Sequence, residues 1–258
     1  MSVRYETDGP VAVLTIDRAE RRNAVDRATA NALLEGYRRF EADDALRVLV
    51  VTGAGGQSFC AGADLKALDN DVVGDAGPMG FTRLRSAKPT LAAIEGYCVA
   101  GGLEIAVWCD LRVVGRSAQL GCLERRWGVP LIDGGTQRLP RIVGLGRALD
   151  LVLTGRLLGA AEAERIGLVD RVVDDGAALT EAVALAKQIA EFPFACVLAD
   201  RASLLDGLSL SLEEGLRVEG ERGREVLAEA ALGAARFAGG AGRHGRAASR
   251  SSTKSSDK

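Results

Sequence analysis

The chain has 258 residues, 47% of them apolar, which is enough for one large domain or for a domain carrying an appendage. Its 33 Lys and Arg against 35 Asp and Glu give a formal net charge of −2, which argues against a general nucleic-acid binder, and no apolar run approaches the length that crosses a bilayer. Five cysteines (Cys60, Cys98, Cys109, Cys122 and Cys196) form no CxxC pair, so they read as reduced, buried thiols and not as a disulfide framework or a metal site.

Met1 to Asp8 is charged and lacks the apolar stretch of a secretion signal; with the cysteine usage this places the chain in the cytoplasm. Val11 to Ile16 has the pattern of a strand, and Asp26 to Phe40 has helical apolar spacing with Asp26 as its N-cap. Arg47 to Thr52 reads as a buried strand ending at the turn Gly53-Ala54-Gly55-Gly56. Thr90 to Glu95 is a further strand, followed by a helix from about Gly101; Leu111 to Val114 and Val169 to Val173 are strands as well. Beyond Thr136 the pattern is mainly helical: Gly144 to Leu153, Ala160 to Ile166, Gly176 to Glu191, Phe194 to Leu205 and Leu210 to Phe237, with Pro193 as a break. From Gly239 the composition shifts to Gly, Ser, Arg and Lys, and Ser249 to Lys258 reads as disordered.

Several common motifs fail. No lysine completes a phosphate loop, Ser58 stands where GxGxxG needs its last glycine, and the segment Gly115 to Gln119 lacks the final glycine of a nucleophile elbow. The only histidine, His244, lies in a Gly/Arg-rich stretch near the end, which removes most Ser-His-Asp and Cys-His schemes.

Three segments carry chemistry. Ser58-Phe59-Cys60-Ala61-Gly62-Ala63-Asp64-Leu65-Lys66 follows a glycine turn, and its small residues allow close approach to backbone N–H groups; alone it also fits a tight turn packed on the core. In Glu95 to Asp110, Gly101-Gly102 opens an apolar helix with Glu104 in its first turn, where a glutamate also serves simply as a cap. Ala118 to Glu124 places a second glutamate after a short strand; alone, Glu124 reads better as a surface carboxylate paired with Arg125 or Arg126.

Taken together, in this order and at this spacing, the three segments resemble the crotonase superfamily, in particular its enoyl-CoA hydratase branch. The resemblance continues through Gly134 to Gly144, Leu153-Thr154-Gly155-Arg156, Ala163 to Val169 and Ala238 to Gly245. It implies an α/β fold, a spiral of ββα units over residues 1–190, followed by a C-terminal helical trimerisation region at 191–245 and a disordered tail at 246–258. It further implies a homotrimer, or a hexamer built as a dimer of trimers. The implied activity is that of a hydro-lyase adding water across a 2-enoyl-CoA double bond, or running the reverse dehydration. Coenzyme A is then part of the substrate, and no metal, further cofactor, nucleic acid or membrane is involved.

By the same resemblance, Ala63 and Gly101 supply the N–H groups of an oxyanion hole for the thioester enolate, and Glu104 and Glu124 are the catalytic carboxylates. Glu104 is read as the base that positions water and Glu124 as the acid toward C2. Ala61, Asp64, Leu65 and Lys66 fall where the family lines its acyl-CoA site, and Arg22 and Ala24 fall in the segment that cradles the nucleotide. The chain departs from ordinary hydratases at Leu123, where proline is usual, in the Arg125-Arg126-Trp127 run and at Asp133. Trp127 reads as a pocket wall or core residue. Asp133 reads first as a turn or N-cap residue of the helix beginning near Gly135; if it faces the acyl pocket instead, isomerisation or a polar acyl substrate follows. The alternatives are therefore an enoyl- or dienoyl-CoA isomerase, and a non-catalytic acyl-CoA-binding protein, against which the retention of both glutamates argues.

Overall fold

A computed structural model describes residues 2–240; His244 and the tail expected to be disordered lie outside the described residues. The chain divides into two compact units, Met1–Lys187 and Gln188–Lys258, whereas the sequence reading divides it at 190/191.

The first unit opens with a hairpin, β1 (Val3–Asp8) and β2 (Val11–Ile16), turning at Gly9 with φ of 59°. α1 (Arg27–Ala42) follows, its Asp26 cap accepting the Thr29 N–H at 2.8 Å, and it buries Ala30, Leu33, Tyr37 and Phe40 along one face. β3 (Val48–Gly53) and β4 (Ser58–Cys60) come next. A long loop then leads to β5 (Thr90–Ile94), β6 (Tyr97–Val99) and α2 (Gly101–Trp108). β7 (Leu111–Gly115) and β8 (Gln119–Gly121) lead into a tight helical turn at Leu123–Trp127. The unit closes with α3 (Gly135–Val143), α4 (Leu145–Thr154), β9 (Leu157–Gly159), α5 (Ala160–Arg165), β10 (Arg171–Val173) and most of α6 (Ala178–Glu191).

The strands form the expected spiral. β3, β5 and β7 each run in the larger sheet, of order β1-β2-β3-β5-β7-β10, and the next strand in the chain then steps into the smaller sheet, β4-β6-β8-β9. Pairing is parallel except at the two edges, β1 with β2 and β8 with β9. β2, β3 and β5 are covered on both faces, which is why they read as continuous apolar runs.

The sequence reading misses β1, because Val3, Tyr5 and Thr7 alternate with charged residues in an edge strand that is mostly exposed. It also misses the three-residue strands β4, β6, β8 and β9, too short for any periodic signal. The strand expected from Val169 begins at Arg171, because the Val169 N–H bonds to Ala163 O at 3.2 Å. The helix expected from Gly176 begins at Ala178, where the Glu95 carboxylate accepts the N–H groups of Gly176 and Ala178.

The second unit contains α7 (Phe194–Gly207), α8 (Leu212–Glu225) and α9 (Leu227–Ala238). The single segment expected over Leu210 to Phe237 breaks at Val226. Ser211 and Glu214 form a reciprocal capping box at the start of α8, and Arg222 of α8 pairs with Asp206 of α7.

Two devices hold the segments that build the site. Phe81, in the loop between β4 and β5, packs against Tyr37 of α1 and Trp108 of α2, with ring centroids 5.9 and 4.6 Å away, and Trp108 Nε1 donates to Leu84 O at 2.7 Å. Asn23 is fully buried in a left-handed conformation: its Oδ1 accepts the Arg18 N–H, and its Nδ2 donates to Ala54 O and Ser58 O. Replacing Asn23 by Ala deletes three hydrogen bonds and leaves their partners unsatisfied. Asn23→Ala is expected to destabilise the protein by about 3 kcal/mol, read as a lower urea midpoint.

Candidate active site

The site begins at the corner between β6 and α2. Ala100 has φ of 54° and ψ of −130°, the first central position of a type II′ turn, where glycine is usual. The Gly101 N–H beyond this corner is the first of α2. No described residue accepts a hydrogen bond from it, as expected for the first amide of a helix.

The Ala61–Ala63 segment lies against that corner. Val25 donates to Gly62 O at 2.8 Å and accepts from the Asp64 N–H at 2.9 Å, so the peptides on either side of Ala63 face Val25. The Ala63 N–H, turned the other way by strand alternation, is likewise without an acceptor among the described residues. The two segments touch so closely that a Cβ on Gly62 would lie 2.8 Å from the Gly101 nitrogen, and one on Gly102 would lie 2.1 Å from Cys60 O. Glycine is needed here for proximity, and at Gly62 also for its φ of 88°.

Ala63 and Gly101 both line one cavity of about 690 Å³, which Glu104, Glu124 and Asp133 also line. Glu104 is 3% exposed; its Oε1 accepts the N–H groups of Asp133 at 2.9 Å and Gly135 at 2.7 Å. Glu124, in the helical turn after β8, is 5% exposed, and neither of its oxygens has a hydrogen-bond partner. The surface pairing suggested by its neighbours does not occur: Arg125 and Arg126 donate instead to the carbonyls of Val152 and Gly155.

Asp133 corrects a second expectation. It is not the cap of α3, whose N-cap is Gly134 with no side-chain bond. The Asp133 side chain, 2% exposed, reaches back to the Met79 N–H at 3.0 Å and to the Thr82 hydroxyl. Its local sequence offered a cap, but burial of the Pro78–Thr82 loop offers two donors that water cannot reach.

Burial pushes all three carboxyls up. Glu104 rises to about 7, because desolvation outweighs its two amide bonds and the charges of Asp133 and Glu124 add to it. Glu124 is raised by desolvation, opposed by its own backbone N–H and then by the Arg125 charge, and Asp133 is raised by desolvation, opposed by its bonds to Thr82 and Met79. Behind them, Arg138 donates to Asp133 O at 2.8 Å and to Thr82 O at 2.6 Å, and its own burial lowers its pKa.

Of the other residues singled out from the sequence, Ala61, Leu65 and Trp127 line the cavity, Trp127 with 72% of its surface exposed. Asp64, Lys66, Arg22 and Ala24 do not. The Asp64 carboxylate pairs with Arg18 at 3.1 Å and caps the Lys66 N–H, while the Arg22 guanidinium lies 5.9 Å from the Tyr97 ring centre. Sequence reasoning missed Asn70 and Met79 in the cavity wall, and Thr82 and Arg138 behind it; their partners are distant in sequence and no local motif marks them. No group of three or more His, Cys, Asp or Glu among the described residues could hold a metal ion.

A family model described as enoyl-CoA hydratase/isomerase matches residues 6–238. A probable enoyl-CoA hydratase of Rhizobium meliloti is 37% identical over 224 residues, covering 83% of this chain and 85% of that protein. The enoyl-CoA hydratase EchA19 of Mycobacterium tuberculosis is 36% identical over 232 residues, covering 86% and 87%. The crystal structure of enoyl-CoA hydratase EchA1 from Mycobacterium marinum superimposes with a TM-score of 0.87 at 36% identity, over 92% of this chain and 96% of that one.

The raised Glu104 pKa makes a signed prediction. The carboxyl titrates near its ordinary 4.5 when unfolded and at about 7 when folded, so the folded state binds the extra proton in between. That contribution to stability is complete below 4.5 and is lost as pH rises through 7. A Gln at this position still accepts the two amide bonds and cannot ionise. Glu104→Gln is therefore expected to gain stability on wild type between about pH 5 and about pH 8, by up to about 3 kcal/mol, in urea unfolding at the two values. A difference that stays constant with pH would show that Glu104 keeps an ordinary pKa.

Proposed function

The chain belongs to the enoyl-CoA hydratase/isomerase family, and from that membership we propose that it is an enoyl-CoA hydratase, adding water across the double bond of a 2-enoyl-CoA or running the reverse dehydration. The observation that carries this reading is the meeting, in one cavity, of two unoccupied backbone amides and two buried carboxyls that differ in their bonding.

In this mechanism the thioester oxygen lies between the N–H groups of Ala63 and Gly101. When water attacks C3, negative charge moves to that oxygen, and two fixed donors at the start of a helix stabilise the enolate without reorganising; each such donor typically contributes about 3 kcal/mol. Because Glu104 Oε1 is held by two amides, Oε2 is left to orient the water and take its proton. Glu124, with neither oxygen bonded inside the protein, is available to deliver a proton to C2. The hydroxyl of water ends on C3 and a proton ends on C2. Return of the proton from Glu104 to Glu124 resets the pair, which burial of both groups near neutral pH favours.

Arg22, Ala24 and Lys66, outside the cavity, are then contacts for the nucleotide end of coenzyme A, and no cofactor is needed beyond that thioester. The reading extends to a cytoplasmic homotrimer or hexamer, which is supported by apolar side chains exposed on α7 to α9, among them Leu204, Leu212, Leu232 and Phe237. Asp133 in the cavity wall favours double-bond migration as a second reading, since a third carboxyl adds another proton acceptor.

Mass spectrometry of crotonyl-CoA and longer 2-enoyl-CoA thioesters tests the proposal. Hydration gives a gain of one water; migration gives none. Glu104→Gln and Glu124→Gln are each expected to lower kcat by ~10²-fold or more. Tight acyl-CoA binding without turnover of any thioester, unaffected by Glu124→Gln, would identify a binding protein instead.

A further inference from the structure

On the Pro78–Met79 side of the cavity two oxygen acceptors lack donors. Asn70 uses its side-chain NH₂ on two carbonyls, Val25 O at 3.1 Å and Pro78 O at 2.9 Å. Those bonds fix the orientation of the amide, and they leave its Oδ1 buried without a partner. Asp133 accepts the Met79 N–H and the Thr82 hydroxyl on one oxygen, Oδ1, while no described residue donates to Oδ2. Both residues line the cavity, and they bracket a single peptide unit: Asn70 holds the carbonyl of the Pro78–Met79 peptide and Asp133 holds its N–H. The rest of this wall, including Leu68, Val72, Pro78 and Ile132, offers no side-chain donor.

Water addition does not call on either acceptor. The thioester oxygen is met by backbone amides, and the water and C2 by the two glutamates. A purely alkyl acyl chain would leave Asp133 Oδ2 unpaired against hydrocarbon, which is the costly arrangement for a buried oxygen. A hydroxyl on the chain donates its one hydrogen there and relieves it.

Resting on the hydratase reading, we propose that this site selects a 2-enoyl-CoA whose acyl chain carries a hydroxyl beyond the reacting double bond, donating to Asp133 Oδ2. Discrimination of this kind is steep, because an analogue lacking the hydroxyl leaves the site's own groups unpaired.

The experiment compares thioesters of equal chain length with and without a hydroxyl at C4, C5 or C6. It reads kcat/KM for water addition, and calorimetric binding of the matching saturated acyl-CoAs. Wild type is expected to favour one hydroxylated isomer by roughly tenfold or more. Asp133→Leu keeps a side chain of similar shape but offers the substrate hydroxyl neither an acceptor nor a donor, so the ratio between the two substrates falls to about one. Thr82→Val disturbs the same clamp without altering Oδ2; it is expected to shift both substrates together and to leave their ratio in place. No preference in wild type, or a ratio that moves equally in the two variants, overturns the proposal. Binding preference without water addition to any thioester would sink the hydratase reading and leave the selection standing; water addition without preference would do the reverse.

Discussion

The bond between Glu104 Oε1 and the amides of Asp133 and Gly135 joins the first turn of α2 to the first turn of α3, and the cavity wall between them takes its course from that junction. A carboxylate at a helix start is ordinary when it serves its own helix. This one serves a helix about thirty residues further along the chain. Gly135 is part of the same constraint, because a Cβ there would stand 2.9 Å from Glu104 Oε1. With one oxygen immobilised by two donors, the other has a single direction left, and the segment Val129 to Asp133 is drawn in to close the acyl side of the cavity. Geometry that would be loose if it depended on side-chain packing is set by main-chain bonds.

Such a junction holds only on a rigid support, and α2 supplies it. Every residue of α2 is buried, so the helix has no solvent face along which to slide. The same rigidity keeps Ala100 in a conformation that costs on the order of 1–3 kcal/mol for a residue with a side chain. Relaxing that corner would turn the Gly101 N–H away from the cavity, while burial of Leu103, Ile105 and Ala106 keeps the helix beyond it from following. Strain, carboxyl desolvation and the aromatic clamp of Phe81 between Tyr37 and Trp108 thus act over one short region, where the core is dense enough to hold them.

How much of this the sequence discloses depends on the range of each interaction. Asp26 was legible as a cap because its partner, Thr29, is three residues away. The glycines and glutamate of α2, and Glu124 twenty residues beyond Glu104, are legible because their order and spacing survive along the chain. Asp133 was misread because the reading looked for donors just downstream, whereas Met79 and Thr82 lie more than fifty residues upstream. Asn23, between Arg22 and Ala24, carries no local signal, yet it fastens that segment to the β3–β4 turn. Strands of three residues carry no period at all; they exist because neighbours in the spiral offer them a ladder. In each case the miss is a long-range partner that overrides a local preference.

The three carboxyls also form a graded series. Glu104 and Asp133 each have one oxygen engaged by two donors, and Glu124 has none engaged. Had the fold satisfied all six oxygens, the region would be more stable and chemically inert, since each bond that favours a carboxylate also removes a position from which a proton is exchanged. All three residues line one cavity, so the deficit is collected around the space where substrate and water arrive. A ligand that supplies donors there satisfies groups the chain could not, and its binding stabilises the folded protein by that differential interaction. The polar demand of the empty site thus bears on more than its own chemistry, because it determines which acyl groups are compatible with closing it.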